Sequence, residues 1–205
     1  LGEVTTYNRK LKDSELQKVQ TYLAVKYGVT MTQDYIASND AVWWDISDNT
    51  GYNNGIAGLA RDDCSVFEQK QAKSESMTDL VTIALGDSIA SNNLENENTI
   101  TTDASAFLWG NNNLTTAFDE VFVNPFADSR MKRVWRVRKT AWTDQNITVC
   151  LDGGNSNKTL IISHSDPTFA TVTHFRPLNA QGCVTINSSD FDADSYFTFS
   201  NQVVG

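Results

Sequence analysis

The chain has no run of about 18 apolar residues, so nothing in it reads as a membrane-spanning helix. Its opening, Leu1-Gly2-Glu3-Val4, lacks the basic-then-apolar order of a secretory leader. It begins as if in mid-strand and is expected to be a fragment of something larger. Three prolines in 205 residues leave no rigid linker. Basic residues are few as well: 16 Lys and Arg against 25 Asp and Glu give a net charge of −9. That balance counts against nucleic acid or an anionic membrane as partner, since either needs a basic patch. With Cys64, Cys150 and Cys183 as its whole complement, the chain has a poor metal set and a poor disulfide framework. Either Cys150 pairs with Cys183 and leaves Cys64 over, or all three are free thiols, and the compartment stays open.

Catalytic signatures are missing too. No Gly-x-Ser-x-Gly elbow, His-Glu-x-x-His, phosphate loop or dinucleotide fingerprint occurs. Of the two histidines, His164 is flanked by Ser163 and Ser165, but sequence neighbours on a strand point to opposite faces, which is poor triad geometry. Both histidines are therefore expected to be hydrogen-bonded structural residues, and the chain is not expected to be an enzyme.

What is present is a folded globule rich in β-strand signals, with ten Phe, six Tyr and five Trp to anchor it. Residues 3–8 read as a strand. Residues 13–27 form the one convincing helix, with Leu16, Val19, Leu23 and Tyr27 on one face, Asp13 and Glu15 in its first turn, and Gly28 as its stop. Short apolar or alternating runs follow at 41–44, 80–85, 106–109, 133–138, 147–151, 159–163, 184–187 and 196–200, joined by Asn-, Asp- and Gly-rich connectors. In the 133–138 run, Arg and apolar residues mix as on a strand with one wet and one buried face. This pattern predicts a mainly β chain: a β-sandwich with one N-terminal helix and long Asn/Asp/Gly-rich loops. Residues 1–205 are counted as a single domain with a strand-helix lead-in over 1–28; a subdomain boundary, if present, falls near 125 at Asn124-Pro125.

The stretch 45–71 carries the candidate site. Asp45, Asp48, Asn53, Asn54, Asp62 and Asp63 gather around Gly51, Gly55 and Gly58, whose backbone freedom lets side-chain oxygens converge. Convergent carboxylate and amide oxygens, six to eight at about 2.3–2.6 Å, are what Ca²⁺ requires. The alternative is a polar loop whose Asx side chains cap their own turns, and the spacing does not fit the helix-loop-helix calcium loop. A second acidic group, Asp190, Asp192 and Asp194, is read as a solvated turn.

Several segments add a resemblance. Residues 4–11 followed by 13–28 are similar to the last strand and trailing helix found after laminin-G/concanavalin-like modules of bacterial surface proteins. The block Gly51-Tyr52-Asn53-Asn54-Gly55-Ile56-Ala57-Gly58-Leu59-Ala60-Arg61-Asp62-Asp63, then Gln69-Lys70-Gln71, Phe107-Leu108-Trp109-Gly110-Asn111-Asn112, 130–137 and 194–199, resembles the peptide-binding domain of giant calcium-dependent bacterial adhesins of the repeats-in-toxin type. That resemblance implies a β-rich extracellular module at the bacterial cell surface, serving adhesion and biofilm formation. It would grip peptide or protein C-termini on host or neighbouring cells through a carboxylate held at bound Ca²⁺. The block more often carries an acidic residue where Gly55 stands. On this reading Asp45, Asn54, Asp62 and Asp63 would hold the metal. Tyr52, Asn53, Trp109 and Asn111 would contact the ligand, and the module would be monomeric within a larger chain. A carbohydrate-binding module and a structural spacer are the rival readings.

Overall fold

A computed structural model describes residues 2–76, 78–124 and 127–201. The chain runs through α1 (Asp13–Tyr27), β1 (Tyr35–Ile36), β2 (Val42–Trp44), β3 (Asn54–Asp62), β4 (Phe67–Gln69), β5 (Gln71–Lys73), β6 (Val81–Leu85), β7 (Ser105–Asn111) and β8 (Glu120–Asn124). It continues with β9 (Ala127–Arg130), β10 (Trp135–Thr140), β11 (Asn146–Leu151), β12 (Lys158–Ser163), β13 (His174–Pro177), β14 (Cys183–Asn187) and β15 (Asp194–Asn201). The predicted helix is found with the predicted bounds, and Gly28 ends it in the left-handed region at φ 65°.

Antiparallel strands in the order β13-β12-β15-β10-β7-β3-β4 form a large central sheet, with the β8–β9 hairpin attached to β15. A second sheet, β14-β11-β6-β5, lies against one face of it. Leu59, Phe107, Trp109, Trp135, Val137, Leu160, Ile162, Phe197 and Phe199 meet Val81, Ile83, Leu85, Ile147, Val149 and Leu151 in one continuous core. This is the predicted β-sandwich. Strand β10 alternates as a strand with one wet face must: Trp135 and Val137 point into the core while Arg136 and Arg138 face out. Cys150 and Cys183 are directly opposed on β11 and β14 and are joined by a disulfide, leaving Cys64 free and exposed.

The outer face of the central sheet is covered twice. Over β3 and β7 lie α1 and the β1–β2 hairpin, which bury Ala24, Val25, Tyr35, Trp43 and Trp44 against Ile56, Ala60, Ala106 and Leu108. Over β10, β12 and β15 lies the 165–173 loop, with Phe169 buried against Val134 and Ile161.

Three expectations are corrected. Residues 3–8 are not a strand; Glu3 instead accepts hydrogen bonds from Tyr22 and Lys26 of α1. The buried face of α1 is Thr21, Ala24 and Val25, not Leu16, Val19, Leu23 and Tyr27, because small side chains let the helix sit close to the sheet. Residues 54–62, expected within a loop, are the longest strand, β3, buried on both faces and so without alternation. Its glycine at 58 is required by close packing, since a Cβ there would stand 1.9 Å from Leu108 Cδ2. The boundary suggested at Asn124-Pro125 falls partly outside the described residues, and β7 and β10, from either side of it, pair directly.

Candidate functional site

The metal candidates do not form one site. Eight residue steps along β3 separate Asn54 from Asp62, about 26 Å at roughly 3.3 Å per step. Asp62 is buried, and its two carboxylate oxygens accept from the backbone N–H and hydroxyl of Ser38 at 2.8 and 2.6 Å. Asp63 receives Arg61 at 2.7 and 3.1 Å, which holds its carboxyl below the usual range. Asp45 caps its own turn by accepting from Ser47 Oγ, Ser47 N and Asp48 N, and the Ser47 hydroxyl lowers its pKa most. Asn54 donates to the Asn111 carbonyl at 3.1 Å. These oxygens are committed to separate turns and ion pairs, so the residues do not fit a shared Ca²⁺. Among the described residues no group of three or more His, Cys, Asp and Glu converges as a metal site would.

The ligand candidates divide differently. Trp109 faces the inter-sheet core at 0% exposure and cannot reach a ligand at the surface. Asn53 is a scaffold residue: its Oδ1 accepts from Trp44 Nε1 at 2.8 Å and its Nδ2 donates to the Ile46 carbonyl. Asn111 is buried where three strands meet, registered with Asn54 on one side and Trp135 on the other. Tyr52 alone reaches a surface that other elements also build. Its backbone lies on β7 at Gly110, where a Cβ would stand 2.4 Å from the Tyr52 carbonyl oxygen.

That surface is the seam between the two coverings. The half-buried ring of Tyr52 stands 5.3 Å from that of Tyr196 on β15. Neither hydroxyl has a hydrogen-bond partner among the described residues, and burial raises the pKa of both, keeping the phenols protonated. Arg136 on β10 lies 5.6 Å from the Tyr196 ring. It is fixed by a bidentate pair with Asp194 at 2.7 and 2.6 Å and by the Asp48 carbonyl. Arg138 shares the same Asp194 at 3.1 Å. On β9, Arg130 is 8% exposed and donates to the Met131 carbonyl at 3.0 Å and the Thr168 carbonyl at 3.5 Å. Its nearest described carboxylate, Glu120, is 4.0 Å away, and the Phe169 ring lies 5.3 Å from its guanidinium.

Phenol hydroxyls and guanidinium N–H groups are donors, and a carboxylate is the acceptor-only group that matches them. Of the residues on this seam, the sequence reading gave a ligand role to Tyr52 and none to Tyr196, Arg130, Arg136 or Phe169. The wet face expected of 133–138 pointed to Arg136; nothing local pointed to Arg130, which the β9–β15 pairing brings in.

The acidic turn is also corrected. Asp190 receives Arg176 at 2.7 and 3.0 Å, Asp192 meets His164 Nδ1 at 2.9 Å, and Asp194 serves Arg136 and Arg138.

No curated protein and no solved structure matches the chain. A family model does, over residues 15–197, which run from within α1 to within β15, and the chain therefore belongs to the family described as a domain of unknown function, DUF8202.

Proposed function

We propose that this domain is a binding module rather than a catalyst, and that it receives the carboxylate end of a peptide or protein on the Tyr52–Tyr196 seam. One observation carries the reading: two half-buried phenols, whose hydroxyls have no hydrogen-bond partner among the described residues, stand 5.3 Å apart with the Arg136 guanidinium over the Tyr196 ring. In a chain at −9, the free phenol hydroxyls are the donors on this seam that an anion could meet, with Arg136 and Arg130 held beside them by their own acceptors. An extracellular setting on a bacterial surface agrees with the cross-strand disulfide, since such bonds persist in oxidising compartments. Calcium dependence is a separate part of the proposal, with no residue set assigned to it.

The test is a library of peptides immobilised through their N-termini, offered with free and with amidated C-termini, beside a glycan array, each with and without chelator. Binding of free-ended peptides that amidation abolishes is the expected result. Binding to glycans alone would replace this reading with the carbohydrate one. Loss of peptide binding in chelator is the result expected of the calcium-dependent part, and binding unchanged in chelator removes that part.

A further inference from the structure

Away from the seam, Lys158 opens β12 directly opposite Asn201, the last residue of β15. The next pairs on the same face are Leu160 with Phe199 and Ile162 with Phe197, all buried between the two sheets. A pleat of period two therefore puts Lys158 and Asn201 at the rim of that core, where both are half-buried. Lys158 Nζ donates to Asn201 Oδ1 and stands 4.1 Å from the centre of the Phe118 ring, which packs on the same core. On the other side of the carboxamide, Asn201 Nδ2 donates to Ser129 Oγ of β9 at 2.7 Å.

This lysine differs from most others in the chain. Lys18, Lys26, Lys73, Lys132 and Lys139 each meet a carboxylate. Lys158 meets none among the described residues; its partners are a carboxamide and an aromatic face. An amine held on a carboxamide is a nucleophile held against an electrophilic carbon, and holding the two in place removes most of the entropic cost of their meeting. The amide is also oriented for the reaction. Its oxygen receives the amine, and its nitrogen, the leaving group, lies on a hydroxyl that can pass a proton to it.

We infer that Lys158 and Asn201 join in an intramolecular isopeptide bond, a covalent staple between β12 and β15. Nζ bonds to Asn201 Cγ, the Cγ–Nδ2 bond breaks, and Nδ2 departs as ammonium with the two protons that Nζ gives up. An ammonium group and a carboxamide thus become an amide and an ammonium ion, balanced without oxidant, reductant or any other reactant. The product replaces a half-buried cation that has no carboxylate partner by a neutral amide, which the rim of a core accommodates at lower cost. The joined residues lie 43 positions apart, so the staple closes a long loop and keeps β15 from peeling off β12. Nothing in this inference depends on the seam.

Mass spectrometry tests it on the whole chain. After incubation in the folded state, then reduction and denaturation, most molecules should fall short of the sequence mass by one ammonia. Proteolysis should release a branched peptide that joins the Lys158 and Asn201 segments and survives reduction. A cyclic imide at Asn54–Gly55 would lose the same mass, and the branched peptide separates the two. Lys158→Arg keeps a cation at the site but has no nucleophilic amine, so it should keep its full mass. Parent protein at its full sequence mass overturns the inference, as does a deficit that survives in Lys158→Arg or maps to another residue. The parent's digest decides the matter alone should the variant fail to fold.

Discussion

Two coverings lie on one sheet face, and they are held in opposite ways. The β1–β2 covering is core: Trp43 donates to the Ala104 carbonyl at 3.1 Å, Trp44 to Asn53, and the Tyr35 hydroxyl accepts from Met31 N at 2.9 Å, all behind α1. The 165–173 covering is a satellite, with three buried apolar residues in its cluster and one strained backbone. Apolar area buried without strain makes a fixed wall; a small buried cluster carrying strain makes a hinged one. The seam lies between them, with Tyr52 from the fixed side packed on both clusters.

Truncating one residue on each side breaks the comparison or sharpens it. Trp44→Ala should cost about 3–5 kcal/mol and lower the global melting temperature. Phe169→Ala, at a smaller cluster and with backbone strain offsetting part of the loss, should cost about 2 kcal/mol and raise exchange chiefly within 165–173. Equal global losses would show that both coverings belong to one cooperative core.

A smaller contrast separates the two aspartates at the end of β3. Asp62→Ala strands the N–H and hydroxyl of half-buried Ser38 and should cost about 1–2 kcal/mol. Asp63→Ala removes an exposed ion pair with Arg61 and should change stability by less than about 1 kcal/mol. Denaturant unfolding of both variants, with and without millimolar Ca²⁺, measures the difference. A matching loss of calcium-induced stability in both would return them to a metal site.

Much of the frame was legible in the residues. Asp13 and Glu15 at one end and Gly28 at the other fixed the helix, and eight apolar runs marked strands that all exist. The helix face was misjudged because periodicity weighs large side chains, whereas here Thr21 and Ala24 make the close contact and Leu16 stays exposed. The strand β3 was hidden for a related reason: Gly55, Ala57, Gly58 and Ala60 are small because both faces are packed, and small residues read as a loop. Once 54–62 is a strand, Asn54 and Asp62 at its two ends cannot meet at one ion, and that set of residues comes apart. The seam was half legible. Tyr52 stood in the block singled out from the sequence, but Tyr196 and Arg130 come to it through pairings between strands far apart in sequence.

The most direct measurement is calorimetry of the tightest free-ended peptide from the library on the parent protein and on Tyr52→Phe/Tyr196→Phe. Neither hydroxyl bonds within the described residues, so the double variant should keep its melting temperature. It should bind roughly tenfold to a hundredfold more weakly, as expected when donors to a charged acceptor are removed. It should also lose most of the preference for a free over an amidated end. Undiminished affinity and an unchanged preference in a folded double variant would contradict the claim that the seam receives the carboxylate.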